Sequence, residues 1–522
     1  MKRNNKKILG FIFVTMLFAS VTGCKKFLDR KPLSPILDDY GSVVDGQAIG
    51  LYAIFNTYAG YQTLPWIDFN SIRDDDAQKG SSTTDGAEIN TEFETFQYTK
   101  DDWATNTYWN DHYYMINKAN QLLYFVDSLG LTDPASQLNV GEAYFFRAFS
   151  YFELVKAYGE VPKIDFYYEK ASDGVRPKSS VDEIYGLIDA DLLQASQLLP
   201  VNWTNSLTNQ NPFPGRLTKG AANTLLAQAK LFRQQWGEVS ALCDQVINSG
   251  EYNGGSTTAI TTKFRDIWKD GVGGIGKNGP ESILEAQASV GAGGSSDYGV
   301  DYGTSQNVRQ GGASTAWNLG WGWNTPTDKL ETQWSAADPR KEMTILYSGQ
   351  SDGGPDKGGY GATLPAYGPG TSLDQKYWNK KVYADADMRQ FVGLQGNARW
   401  INHRILRYAD VILMKAEAAN ETGDGATAET LLEQVRARAR NGSTTALPHV
   451  AFVDQAQMRK AIKDERRWEF AMEGYRFYDL VRWGDAVAEL GSLGYTNRCR
   501  YYPIPQKAID VTNGVLIQNP EW

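Results

Sequence analysis

Two stretches of this chain repeat one design, an apolar-faced helical segment, a very short turn and a second such segment. The first is "LTKGAANTLLAQAKLFRQQW" running into "GEVSALCDQVINSGEY", where Ala222, Leu225, Leu226, Ala229 and Leu231 share a face and the turn falls near Gly237. The second is "ILRYADVILMKAEAANETGDGATAETLLEQVRARAR", which folds back at Gly-Asp-Gly. Apolar residues recurring at three and four predict amphipathic helices, and helices joined so tightly must lie antiparallel. Small residues at the crossing points make these units similar to tetratricopeptide pairs, without the strict repeat signature. The pattern is helical from Ala104 to about Ser249. Within it, "VGEAYFFRAFSYFELVKAYGEVP" is a long helix stopped by Gly159 and Pro162. Ser180 with Glu183 three positions on forms a capping box for the next helix, and Pro200 ends it.

Between the two helical blocks the composition changes. Residues 271 to 370 hold 22 of the 51 glycines, interspersed with Ser, Asp, Tyr and Trp. Loops and short strands are expected there, and such loops often carry function. The chain is therefore expected to be mainly α: a TPR-like helical-pair scaffold over residues 24–250 and 400–522, with a large irregular, loop-rich lobe at 251–399 inserted in it. Its 522 residues and 42% hydrophobic content are ample for a sizeable core. A net charge of −9, with no Lys/Arg stripe, argues against a nucleic-acid partner.

Inside the lobe, "GGASTAWNLGWGWNTPT" places Trp317, Trp321 and Trp323 within seven positions among glycines. Rings of this size serve either as core anchors or as flat stacking surfaces. Trp66, in "LPWIDFNSIRDDD", is a further candidate because acceptor carboxylates follow it, Asp75 and Asp76 among them. The expectation is that at least one of Trp66, Trp317, Trp321 and Trp323 stacks on a ligand, with Asp75, Asp76 and Asn324 bonding its polar groups.

The N-terminus carries a different signal. "MKRNNKK" is a basic region, and Ile8 to Val21 is an apolar run of 14 residues, too short for the ~20 a membrane span needs. It ends in "VTGC", which resembles a bacterial lipobox. Residues 1–23 are thus expected to be a lipoprotein signal peptide, and Cys24 the lipidated first residue of a mature 24–522 protein. Of the other two cysteines, Cys243 fits an apolar helix face, and nothing in the sequence argues for a disulfide to Cys499.

Motifs for chemistry fail one by one. "GVGGIGKN" at 271–278 nearly spells a P-loop, but Asn278 stands where a hydroxyl should bind magnesium, and Gly279-Pro280 follow in place of a helix. There is no HExxH, CxxC or G-x-S-x-G, and only His112, His403 and His449 are available as imidazoles. "RDDDAQKG" lacks the ligand spacing of an EF-hand. The spacing of Glu465, Glu469 and Glu473 puts them on one helix face beside Arg466, Arg467, Arg476 and Arg482. Glycosidase carboxyls must flank the scissile bond, so this array reads as a structural ion-pair network. A surface glycoside hydrolase would need an opposed pair elsewhere, such as Asp75 or Asp76 with Glu331.

"ERRWEFAMEGYRFYDLVRWGD" resembles the C-terminal signature of the SusD/RagB family of outer-membrane nutrient-binding lipoproteins. "CKKFLDRKPLSPI", "RAFSYFELVKAYGEVP", "GRLTKGAANTLLAQAKLF", "GWGWNTPTDKLETQWSAADPR" and "YYPIPQKAIDVTNGVLIQNPEW" resemble further family segments in the same order. Lys25 and Lys26 depart from the acidic or serine residues common after the cysteine, and Val21 replaces the commoner Leu. The resemblance implies a helical frame with a variable ligand-binding lobe, anchored by lipid on the outer face of the outer membrane. The partner it implies is a SusC-like TonB-dependent transporter, and the ligand an oligosaccharide or, in some members, a peptide. It implies no enzymatic activity; no cofactor or metal site is assigned from the motifs, and a calcium ion held by residues distant in sequence stays open.

Overall fold

A computed structural model describes residues 43–204, 211–270, 276–294, 297–310, 316–369, 372–393 and 398–522. The signal segment and Cys24 lie outside the described residues, as does most of the P-loop-like stretch. The fold is 54% helix and 8% strand.

Among the described residues, ten helices of eight or more residues build the frame: α1 (Val43–Thr57), α2 (Trp103–Ser128), α3 (Pro134–Tyr158), α4 (Val181–Leu198), α5 (Lys219–Phe232), α6 (Trp236–Ile247), α7 (Tyr408–Glu421), α8 (Gly425–Ala439), α9 (Gln455–Glu469) and α10 (Arg476–Trp483). Their ends follow local chemistry. Asp102 caps α2 by accepting from the Ala104 and Thr105 amides. Ser180 and Glu183 form the capping box of α4 in both directions. Helix α3 stops at Gly159, whose φ of +74° a side-chain-bearing residue would resist. The turn between α5 and α6 centres on Gln234, with φ +57°, so Gly237 falls inside α6.

The helices pack in chain order: α2 on α3, α3 on α4, α4 on α5, α5 on α6. The array then skips the intervening chain, because α6 packs on α7, and α7 on α8 and α9. Apolar faces supply the seam, including Phe145, Phe149 and Phe152 of α3, Leu225 and Leu226 of α5, Cys243 of α6 and Ile412 of α7, all buried in one core. Cys243 and Cys499 are both buried and free.

Between α6 and α7 no helix of the described residues exceeds seven residues, and strands are short. Strands of three or more residues are β1 (Ala77–Gly80), β2 (Ser282–Ala286), β3 (Trp323–Pro326), β4 (Ile345–Tyr347), β5 (Tyr377–Asn379) and β6 (His403–Arg407). They pair antiparallel in twos: β1 with β3, β2 with β6, and β4 with β5. The β2–β6 ladder closes the insertion where it leaves and re-enters the frame. The β1–β3 ladder pins its middle to the N-terminal part of the chain.

Candidate functional site

The charged C-terminal signature goes to the interior. Arg340 holds Asp338 at 2.8 Å, Glu465 at 2.6 Å and Glu469 at 3.0 Å. Arg407 binds Glu281, Glu469 and Glu473, and Arg438 binds Glu281 and Glu469. Helix α9 ends at Glu469, so Glu473 does not share its face as the spacing suggested; it lies past a turn in which Met472 has φ +67°. Burial alone would raise the Glu469 carboxyl, but Arg438, Arg407 and Arg340 outweigh it and hold it at about 2. Arg466 bonds Asp410 and Asp479, and Arg482 bonds Asp479 and Glu417. These carboxylates are buried and paired with guanidiniums inside the core, so none faces a cleft where it could protonate a leaving group.

Most of the expected ligand-binding residues are in the same interior. Trp66 is 8% exposed, packed edge-on against His403 at 4.4 Å and covered by Gly474. Asp75 is held by Arg476 at 2.9 Å and Lys329 at 2.6 Å, and Asp76 by Arg467 at 2.5 Å. Trp323 begins β3 at 4% exposure, with the Lys79 ammonium 5.1 Å from its ring. Asn324 is buried with φ +54°; it accepts from the Ser71 hydroxyl at 2.8 Å and donates to Gln306 at 2.6 Å. The stacking and hydroxyl-bonding expected of Trp66, Asp75, Asp76, Trp323 and Asn324 thus falls on side chains that the structure buries. Glu331, the carboxylate a glycosidase would set opposite Asp75 or Asp76, is ion-paired with Lys341 at 2.9 Å.

Trp321 is different. Its ring is 43% exposed, and the backbone explains why. The Trp321 amide donates to Thr304 O at 2.8 Å, and the Leu319 and Gly320 amides both donate to Val308 O, so the loop is pressed inward. A Cβ on Gly320 would meet Thr304 O at 2.3 Å, and Gly322 has φ +76° with Arg309 2.8 Å from where its Cβ would sit. Only glycine fits at both flanks, which leaves the tryptophan between them to point outward. Trp317 is half-buried against the core edge, its amide bonded to Gln310 Oε1 at 3.1 Å.

Three exposed rings that the sequence reading missed lie on other loops of the lobe. Tyr367 is 54% exposed and its backbone bridges to Leu373, which in turn bridges to Gln310. Phe391, 47% exposed, follows Arg389, whose guanidinium donates to Ala316 O at 3.5 Å. Tyr298, 75% exposed, lies on a two-residue hairpin strand paired with Ser289–Val290, near the end of the Phe391 helix. A glycine- and tyrosine-rich composition was the only sequence signal for them. Arg309 ties the base together, bonding Ser81 and, at 2.6 Å, Asp85 of one loop and Asp374 of another at 3.7 Å. The result is a set of outward-facing aromatic rings on loops braced from below, an arrangement able to stack on flat apolar faces.

Among the described residues no group of three or more His, Cys, Asp or Glu could hold a metal ion. His112 is buried between Tyr61 and Tyr108, and desolvation lowers it to about 3. His403 stacks on Tyr302 at 3.7 Å. Among the described residues no helix is long and apolar enough to cross a membrane.

Two family models match this chain. One, the SusD family, covers residues 280–497; the other, a SusD-like model described as "Starch-binding associating with outer membrane", covers 26–231. "SusD-like protein P2" of Formosa agariphila is 27% identical over 534 residues, covering 97% of this chain and 98% of that protein. A "SusD-like protein" of Bacteroides ovatus is 25% identical over 501 residues, covering 91% and 82%. Among solved structures, a "Laminarin binding SusD-like protein" superposes with TM-score 0.69 at 24% identity, covering 92% of this chain and 99% of that one. Surface glycan-binding protein A from Bacteroides thetaiotaomicron, in complex with laminarihexaose, gives TM-score 0.68 at 21% identity, covering 91% and 98%. With both halves matched by its models and SusD-like proteins aligned along nearly its whole length, the chain belongs to the SusD/RagB family.

Proposed function

We propose that this protein captures an oligosaccharide at the cell surface and passes it to a TonB-dependent outer-membrane transporter, without cleaving it. The observation that carries the reading is Trp321, 43% exposed between two glycines that no larger residue could replace, with further exposed rings at Tyr298, Tyr367 and Phe391 on other loops of the same lobe. Aromatic faces of this kind match the apolar faces of sugar rings, and a braced loop loses little freedom on binding. The laminarin and laminarihexaose named for two structural neighbours make β-glucan oligosaccharides the first ligands to try. The lipid anchor at Cys24 would hold the protein on the outer membrane, in line with the family description.

The deciding experiment is a glycan-array screen of the purified protein, followed by calorimetry on the best oligosaccharide and chromatography of the ligand after prolonged incubation. Binding without new products is the expected result. Turnover abolished by one carboxylate substitution would instead make the protein a hydrolase.

A further inference from the structure

A pocket of about 390 Å³ opens elsewhere on the molecule, between the chain after α4 and the turn leading into β2. That volume is within the range of small-molecule sites. One wall is the Trp203 ring, fixed by its own N–H donating to Leu217 O at 2.9 Å and by the edge of Phe213 at 5.4 Å. The Arg216 guanidinium lies 4.7 Å from that ring. It is fully spoken for, with Glu142 at 2.7 Å and Asp45 at 2.7 Å. The rim carries Glu251, one oxygen of which accepts from Asn202 at 2.7 Å, and the exposed Thr204 hydroxyl.

These facts select a class of ligand. Arg216, the one cation lining the pocket among the described residues, faces two carboxylates, so it has no charge left to hold a phosphate, sulfate or uronate. Glu251 adds a further negative charge and a second carboxylate oxygen suited to hydroxyl donors. A rigid indole beside hydroxyl-binding groups fits one neutral sugar ring. We infer that this Trp203–Glu251 pocket is a second carbohydrate site, taking a single neutral sugar unit independently of the exposed rings of the lobe. The inference stands on this pocket's own geometry and survives if the Trp321 surface binds something other than a glycan.

The test uses the full mature chain and NMR titration with glucose, galactose, mannose and N-acetylglucosamine, with glucuronate as the charged control. At about 50 mM, well above a ~1 mM dissociation constant, at least one neutral sugar should bind and glucuronate should not. Trp203→Ala should weaken that binding at least tenfold, as loss of a stacking anchor does. The titration is read at amides of the pocket, such as those of Asn202, Thr204 and Tyr252, so that any sugar stacked on Trp321 does not enter the readout. If Trp203→Ala does not fold, Glu251→Gln replaces it; its side chain is on the surface and Gln still accepts from Asn202, so it should fold and bind more weakly. Pocket shifts that survive in the Trp203 and Glu251 variants would overturn the inference. So would the absence of binding by all four neutral sugars, or preferential binding of glucuronate.

Discussion

Arg340 and Glu469 stand 129 positions apart in the chain and meet at 3.0 Å with neither side chain exposed to water. The same carboxylate also receives Arg407 and Arg438, so three buried guanidiniums share it. Removing one partner of such a pair leaves an uncompensated charge in a low dielectric, which costs ~3 to 5 kcal/mol. Glu469→Ala should therefore lower the melting temperature sharply while leaving glycan affinity of the folded fraction intact. Thermal melts beside calorimetry check it. A variant that melts normally yet no longer binds would remove Glu469 from the structural network.

The same pairing fixes a pH dependence. The Glu469 carboxyl is held at about 2 in the fold against 4.5 for the free group, so its stabilisation is present above about 4.5. It is lost as pH falls from there through about 2. Glu469→Gln should lose less stability on acidification over that window than the unsubstituted protein, measured by melts along the acid limb.

Glu92 acts with the opposite sign. Burial raises its carboxyl to about 7 from 4.5, so its contribution is complete below about 4.5 and disappears as pH rises through about 7. His112, lowered to about 3 from 6.5, contributes fully above 6.5 and loses that as pH falls toward 3. The two oppose each other between about 4.5 and 6.5, so the substitution isolates one slope. Glu92→Gln should flatten the decline in melting temperature between about pH 5 and about pH 8. An unchanged pH profile would show that Glu92 does not titrate there.

The tryptophans divide by position. Trp321→Ala should cost tenfold or more in affinity for the oligosaccharide, with little change in melting temperature. Trp66→Ala and Trp323→Ala remove buried rings and should destabilise by ~3 to 5 kcal/mol. Side-by-side calorimetry and melting curves separate these outcomes. Normal binding by Trp321→Ala would shift the ligand surface to Tyr298, Tyr367 or Phe391.

Helix boundaries were readable because their causes are local. Ser180 and Glu183 are three residues apart, and Gly159 ends the helix that it follows. The fates of Trp323 and Asn324 have no local cause. Gly80 pairs with Trp323 and Gln78 with Thr325 across the β1–β3 ladder, and no pattern of period two or 3.6 announces a partner so distant. Two glycines flank Trp321 and one precedes Trp323, so both look equally free in sequence. Only the inward hydrogen bonds of residues 319–321 and the strand at 323 tell them apart. Asp75 and Asp76 resembled a ligand's acceptors because their guanidiniums come from Arg476 and Arg467, at the other end of the chain.

That last separation has a consequence in time. Arg467 follows Asp76 by 391 positions, and ribosomes add ~5 to 20 residues per second, so the carboxylate waits roughly 20 to 80 s for its counter-ion. Glu281 waits on Arg438, and α6 on α7, in the same way. The early helices can coil and pair while the chain is still being made, but the charged interior cannot close until the last quarter arrives. Completion of the protein is in this sense decided by its C-terminal helices, and a nascent chain cut short before them would hold a half-built interior of unpaired acids open to water.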